Sequence, residues 1–253
     1  MRLDGTTVVF FIFAALIYSA MILTGQHLLA VAAVTAVLAL VGLALVRDTA
    51  DYYLALWHLR RGDVIEAQRA ADRMATARPK YWRAHLMRAV AAAQRGDGVM
   101  AEGAARQVLA LKPGQALGYN ALGNALFAQM RYLEALDAYE EVIKRQPEAR
   151  LVHYNIGVVY YRMQRYAKAE VSLREALKRP LPNATVNLLG HYYLGQALVA
   201  LGERSAAEVA FSDMTAYKSA LIGLQKQQAA IRQPTAGDLL QRRDIEQIAA
   251  LLG

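Results

Sequence analysis

The 253-residue chain contains no cysteine, which excludes disulfide bonds, thiol nucleophiles and thiolate metal sites together. The absence fits a reducing compartment. Proline is scarce, and three of its six residues (Pro79, Pro113 and Pro147) lie 34 positions apart. Charge is missing from Thr6 to Leu23 and from Leu28 to Val46. These gaps divide the chain into an uncharged N-terminal part and a part with a regular period.

The sequence also lacks the patterns of enzymes and of nucleic-acid-binding proteins. It has no recognisable nucleophile–base arrangement, glycine-rich phosphate loop or catalytic pair of carboxylates, so we expect a non-enzyme without a cofactor. The net charge is +8 and the pI is about 9.7. Because basic residues alternate with acidic ones and do not cluster with aromatics, we expect no nucleic-acid partner.

A 34-residue period organises the chain after the uncharged runs. Alanine recurs with this spacing at Ala67, Ala101, Ala135 and Ala169, and a second row of small residues shares it at Ala55, Ala89, Gly123 and Gly157. Such a unit is long enough for two antiparallel helices, which can cross closely only where both side chains are small. The proline at the end of each unit stops the second helix and turns the chain toward the next pair.

The third and fourth units also place large residues in a regular pattern. The third has Tyr119, Leu122, Gly123, Ala135, Tyr139 and Pro147, and the fourth has Ile156, Gly157, Tyr160, Ala169 and Ala176. This resembles the tetratricopeptide repeat (TPR) family. The resemblance implies an all-α protein whose residues 47–217 form a solenoid of about five helix pairs: 48–81, 82–115, 116–149, 150–183 and 188–217. Ala207 follows Ala169 by 38 residues, so we expect four extra residues near 180–183.

The period also explains two features that suggest other functions. The tripeptides that begin at Arg61 and Arg95 look like adhesion motifs, but they lie 34 residues apart at the predicted turn inside a repeat. His85, His153 and His191 occupy the fourth position of three different repeats. We therefore expect them to pack between helices and not to bind a metal ion, which needs several imidazoles at one point.

The uncharged runs predict an N-terminal transmembrane helical hairpin in residues 1–46. Each run has about the 20 residues that cross a hydrocarbon core of about 30 Å, and four residues separate them. A cleaved signal peptide is the alternative, but Asp4 and the second run argue against it. Arg2 and Arg47 flank the hairpin, so both termini and the repeats should face the cytoplasmic or stromal side of a bacterial inner membrane or thylakoid. Basic repeats near that surface could contact membrane lipid, or form an ordinary solvated surface.

Residues 218–253 predict two C-terminal capping or amphipathic helices separated by Pro234. The first covers Lys218–Arg232 and suits a terminal cap of the repeat stack. The second covers Ala236–Leu252, where leucine and isoleucine recur at helical spacing. It could cap the repeats or dock elsewhere.

In the TPR family, the first helices of the repeats line a concave groove, which implies the candidate site here. The groove positions are aromatic and amide-rich, which suits an extended peptide or a partner helix. The alternative is that several of these aromatics pack against neighbouring helices. The candidate residues are Tyr52, Tyr53, Asn120, Asn124, Phe127, Tyr154, Asn155, Val158, Tyr161, Arg162, Tyr192 and Gln196, with Leu56, Leu86, Met87, Val90 and Tyr193 at further positions.

Two functions fit this organisation. The favoured one is a membrane-anchored scaffold that binds a subunit or intermediate of a membrane protein complex, because the architecture is similar to that of the photosystem I assembly TPR proteins of cyanobacteria and chloroplasts. That likeness implies a photosynthetic complex among the candidates. The other is a regulatory adaptor that recruits a soluble enzyme, protease or secretion component to the membrane. The sequence leaves the oligomeric state open.

Overall fold

The computed structural model describes residues 51–229 and 236–252, together with Ala15, Ser19 and 35–37. The two predicted membrane spans lie almost entirely outside the described residues, and the division of the chain at 46 and 217 stays a prediction. Within the described ranges, no helix combines the length and the apolar character that crossing a bilayer requires.

The described secondary structure is helical throughout, with no strand in these residues. Helix α1 covers 51–61, and it is followed by α2 (Val64–Ala77), α3 (Trp82–Gln94), α4 (Gly98–Leu111), α5 (Ala116–Ala128), α6 (Tyr132–Arg145), α7 (Arg150–Arg162), α8 (Tyr166–Leu177), α9 (Ala184–Leu201), α10 (Arg204–Met214), a 3₁₀ turn (Thr215–Tyr217), α11 (Ser219–Ala229) and α12 (Ala236–Leu252). From α1 to α10, successive helices pair in the way that the 34-residue period predicts.

The small residues of the period lie where paired helices cross. A Cβ added at Gly123 in α5 would lie 2.5 Å from the ring of Tyr139 in α6, and one added at Gly157 would lie 2.6 Å from Leu173. At both crossings a larger residue would force the helices apart. This confirms the steric reason for the repeated glycine and alanine positions.

The turn inside each pair also repeats. Gly62, Gly96, Met130 and Gln164, which are 34 residues apart, all have a positive φ between 57° and 81°. The predicted turns at Gly62 and Gly96 are thus confirmed, because glycine reaches this left-handed region without strain. In the third and fourth pairs, a residue with a Cβ adopts the same conformation.

The prediction of four extra residues near 180–183 is wrong, because the extra residues lengthen α9, the first helix of the fifth pair, by about one turn. Helix α9 begins at Ala184, which keeps the 34-residue spacing of helix starts, but it runs for 18 residues where α7 runs for 13. Asn183 caps α9 by accepting a hydrogen bond from the amide of Thr185 at 2.8 Å. Since a helical turn contains 3.6 residues, the added turn leaves the same face of α9 toward the core.

Two of the histidines hold the connection between neighbouring pairs. His85 Nε2 lies 2.7 Å from the carbonyl oxygen of Pro79, and His153 Nε2 lies 2.9 Å from that of Pro147. Each ring therefore hydrogen-bonds the proline that ends the preceding repeat. His191 has a different setting, because its ring stacks on Tyr217 with centroids 5.8 Å apart.

The two C-terminal helices form an antiparallel hairpin. Gln228 Nε2 in α11 donates to Gln241 Oε1 in α12 at 2.8 Å, and at the other end Lys218 Nζ donates to the carbonyl oxygen of Leu252 at 2.6 Å. Helix α11 follows the last pair. Helix α12 returns toward the repeats and buries Ile245 and Ile248 in the same apolar cluster as Tyr192.

Candidate partner-binding groove

A cavity of about 380 Å³ opens between the first helices α3, α5 and α7. This volume lies in the range of ligand pockets. Every residue that lines it is uncharged, and most are small or aromatic. The lining consists of Ala89, Val90, Ala93, Gln94, Ala121, Asn124, Phe127, Ala128, Tyr139, Tyr154, Asn155 and Val158. We call this region the open half of the groove.

An amide network forms one wall of the open half. Asn124 Oδ1 accepts hydrogen bonds from Tyr139 Oη at 2.7 Å and from Asn155 Nδ2 at 3.1 Å. Asn155 Nδ2 also lies 3.4 Å from Asn120 Oδ1. Within the described residues, neither Asn120 nor Asn124 uses its amide nitrogen as a donor. These amides can donate to a peptide carbonyl while the nearby aromatic rings cover apolar side chains.

The groove beside α7 and α9 is covered by α12, and we call it the covered half. The Arg162 guanidinium pairs with the Asp244 carboxylate of α12. Tyr193 Oη donates to Asp244 Oδ2 at 2.7 Å and accepts from Arg162 at 3.2 Å. Tyr192 Oη donates to Gln247 of α12. The helix is thus attached through a polar cluster as well as through the apolar contacts of Ile245 and Ile248.

This cluster is almost fully removed from water. The Arg162 side chain is 13% exposed and that of Asp244 is 6% exposed. Burial raises the pKa of the Tyr193 hydroxyl well above its ordinary value, and the Asp244 charge raises it further. Burial lowers the pKa of Arg162, but Tyr193 and Asp244 more than offset this and raise it above its ordinary value. Arg162 is therefore charged and Tyr193 neutral at any physiological pH.

The structure brings most of the predicted groove residues together, but in two separate settings. Asn124, Phe127, Tyr154, Asn155 and Val158 line the open half, and Asn120 joins them through the amide network. Tyr161, Arg162 and Tyr192 belong to the covered half, where the ring centroids of Tyr161 and Tyr193 are 5.1 Å apart.

The prediction of an exposed aromatic surface in the fifth repeat is wrong. Tyr192 is 0% exposed and Tyr193 is 3% exposed, because α12 and the neighbouring helices cover them. Tyr52 and Tyr53 contact each other edge to face on α1, and neither lines the cavity. Gln196 is half-buried on α9 and does not line the cavity either.

Sequence reasoning missed Asp244 and Gln247 as groove residues. A signal for Asp244 exists, because it lies four residues after Leu240 and four before Ile248, inside the apolar stripe of α12. A carboxylate in that position needs a buried partner. Tyr139 belongs to the repeat pattern of large residues, but its hydroxyl also anchors the amide network.

Within the described residues, no group of three or more histidine, aspartate and glutamate side chains could hold a metal ion. In three histidines the ring nitrogen Nδ1 is buried and makes no hydrogen bond to a described residue: His58, His85 and His191. These rings lie on different helices, in line with the packing role that the period predicts for His85 and His191.

The fold is similar to that of several solved structures. MamA from Desulfovibrio magneticus RS-1 matches with a TM-score of 0.54 and 20% identity over 69% of this chain and 96% of that one. Pseudomonas aeruginosa PilF matches with a TM-score of 0.57 and 22% identity, over 81% and 88%. PilW, a type IV pilus biogenesis factor, matches with a TM-score of 0.58 and 19% identity, over 81% and 86%. At these identities the likeness shows the fold alone.

Sequence comparison gives the family. No protein of curated function matches the chain. The sequence profile described as tetratricopeptide repeat matches residues 52–116 and 120–185, which together make up more than half of the chain. This match indicates no catalytic family. The chain belongs to the tetratricopeptide repeat family.

Proposed function

We propose that this protein is a non-catalytic scaffold, anchored to a membrane by its N-terminal segment, that binds a segment of a partner protein in the groove. The observation that carries this proposal is the open half. Its uncharged amide and aromatic lining suits the backbone and apolar side chains of a peptide or helix better than a charged metabolite or a nucleic acid. The partner that we favour is a subunit or intermediate of a membrane protein complex.

The surface of α1 supports the membrane anchor. This helix directly follows the second uncharged run, and it exposes 51% of Tyr53 and 47% of Trp57. The Arg61 guanidinium lies 4.5 Å from the Trp57 ring centroid. Exposed tyrosine and tryptophan next to arginine are typical of the membrane–water interface, where the rings lie at headgroup level. This surface fits repeats held close to the cytoplasmic or stromal face of the membrane.

Site-specific photocrosslinking in intact cells tests the proposal. Gln94 lines the open half and is exposed, whereas Gln107 is exposed on the second helix α4 and does not line it. A photoreactive residue in place of Gln94 should give an adduct with a membrane-complex subunit, and the same residue in place of Gln107 should not. Asn155→Ala should lower the yield at position 94 several-fold, because it removes an amide from the wall.

The outcomes separate the candidate functions. An adduct with a soluble enzyme, protease or secretion component at position 94 would favour the regulatory adaptor. Equal adducts at both positions, or none at position 94, would contradict binding in the groove.

A further inference from the structure

We propose that α12 is a built-in, releasable ligand of the groove, and that the covered half recognises an amphipathic helix with a buried carboxylate. A partner helix of this kind replaces α12 on the repeats. This rests on the proposed function, because the covered half is part of the same groove.

The position of α12 is that of a groove ligand. Arg162 ends the first helix of the fourth pair, and Tyr192 and Tyr193 lie on the first helix of the fifth. All three contact α12 by hydrogen bonds. First helices present the groove in this family, so α12 lies where a partner helix would lie.

The two halves of the groove are continuous. Val158 and Tyr154 line the open cavity. The same two residues contribute to the apolar cluster that contains Ile245 and Ile248 of α12. A helix bound in the place of α12 would therefore adjoin the surface that the open half offers, because both halves share Tyr154 and Val158.

The contacts of α12 define the chemistry of the partner helix. Asp244 supplies the carboxylate, and Gln247, three residues later, supplies an amide oxygen for Tyr192. Ile245, Ile248 and Leu252 bury their apolar side chains in the cluster. The pattern is a carboxylate at position i, isoleucine at i+1 and i+4, an amide at i+3 and leucine at i+8. A partner with this pattern would replace one carboxylate by another, so Arg162 would not be left buried without a counter-ion.

The side of α12 that faces α11 is less completely packed than the side that faces the repeats. A surface cleft of about 640 Å³ opens between α11 and α12 beside their hydrogen bonds, with Gln228, Arg242 and Ile245 among its lining residues. Gln228 Oε1 is buried and accepts no hydrogen bond from any described residue. Helices that belong to a core are normally packed densely and have their buried polar atoms paired. Release of α12 thus costs less packing free energy than a helix of its length would normally lose, because the part of its surface beside the cleft has no close neighbour.

Thiol labelling of the full chain tests the release. The natural sequence has no cysteine, so Ile248→Cys introduces a single thiol on the buried face of α12. The variant is compared in three backgrounds: unchanged, Asp244→Asn, and the matched control Glu246→Gln, which alters an exposed carboxylate on the same helix. Breaking a buried ion pair is costly, so Asp244→Asn should accelerate labelling by about a hundred-fold through local opening. Glu246→Gln should leave the rate unchanged.

A second thiol separates local release from general unfolding. Val108 is 0% exposed in α4, and labelling of Val108→Cys should not respond to Asp244→Asn. Equal acceleration at positions 108 and 248 would overturn the proposal, because it would mean that the substitution loosens the whole solenoid. An unchanged rate at position 248 would also overturn it.

The partner chemistry is tested with a synthetic peptide of residues 236–252. It should bind the full chain that carries Asp244→Asn at least tenfold more tightly than the unchanged chain, because the tethered α12 competes with an effective concentration in about the millimolar range. A peptide with Asp244→Asn should bind at least tenfold more weakly. Equal binding of the two peptides, or no peptide binding to the chain with Asp244→Asn, would overturn this proposal. The proposed function would still stand if a partner crosslinks at position 94.

Discussion

Alanine at Gly123 and alanine at Gly103 should change stability in opposite directions. Both glycines lie inside helices, where alanine is favoured by about 1 kcal/mol. A Cβ at Gly103 meets no atom within 4 Å, so the variant keeps this gain. A Cβ at Gly123 would lie 2.5–2.9 Å from three ring atoms of Tyr139. We therefore expect Gly103→Ala to stabilise the protein and Gly123→Ala to destabilise it.

The setting of Tyr139 determines the size of the effect. Its side chain is 1% exposed, and its hydroxyl donates to Asn124 at 2.7 Å, so the ring cannot retreat without losing that bond. Overpacking costs about 1–3 kcal/mol, and the hydrogen bond contributes about 1 kcal/mol. After the helix gain is subtracted, Gly123→Ala should lower the free energy of unfolding by about 2 kcal/mol. Gly103→Ala should raise it by about 1 kcal/mol.

Urea unfolding of the full chain in a mild detergent, followed by circular dichroism at 222 nm, measures both changes. The two variants should share the m-value of the unchanged chain and differ only in midpoint. If the midpoints move in the same direction, contact with Tyr139 does not explain the glycine at position 123. Gly123→Ala should also lower the crosslinking yield at Gln94, since Tyr139 forms part of the cavity wall.

Two further predictions concern single side chains. Burial lowers the pKa of His191 below its ordinary 6.5, with Asp213 opposing the shift, so the unfolded chain binds more protons than the folded one and stability should fall as the pH drops below about 6.5. In urea titrations, the free energy of unfolding of His191→Gln should fall less between pH 7.5 and 5.5 than that of the unchanged chain. The same pH dependence in both proteins would contradict the lowered pKa. Gln164 is exposed and has a φ of 57°, so Gln164→Gly should raise the melting temperature by relieving about 1 kcal/mol of strain, whereas Gln164→Ala should not. Equal effects of glycine and alanine would contradict a backbone origin.

The repeat architecture could be predicted from the sequence because the same steric requirements recur from unit to unit. Small residues at the helix crossing, a turn with positive φ and a terminal proline all share the 34-residue spacing. Helices α3, α5, α7 and α9 begin at 82, 116, 150 and 184 as a result. The cavity residues Asn124 and Asn155 could be predicted for the same reason, since they lie at groove-facing positions of adjacent first helices.

Features without a period could not be predicted in the same way. The 38-residue interval revealed four extra residues but not their location inside α9, because four residues fit a loop near 180–183 and also fit about one helical turn. The ion pair between Arg162 and Asp244 joins residues 82 positions apart. No repeat rule relates them, so the sequence left the docking of α12 undecided and made Tyr192 seem exposed.

The division of the groove bears on how a partner could bind. A free helix that contacts only the covered half competes with α12, which is tethered at an effective concentration of about millimolar. To displace α12, the dissociation constant of the free helix must be far below the concentration at which that helix is present. A partner that first occupies the open half becomes tethered too, and its helix then competes with α12 on equal terms. Tyr154 and Val158 line the open half and belong to the apolar cluster of the covered half, so the two binding segments of such a partner can be adjacent. Affinity for this protein should therefore depend on two adjacent segments of the partner, an uncharged one for the amide network and a carboxylate-bearing helix for Arg162.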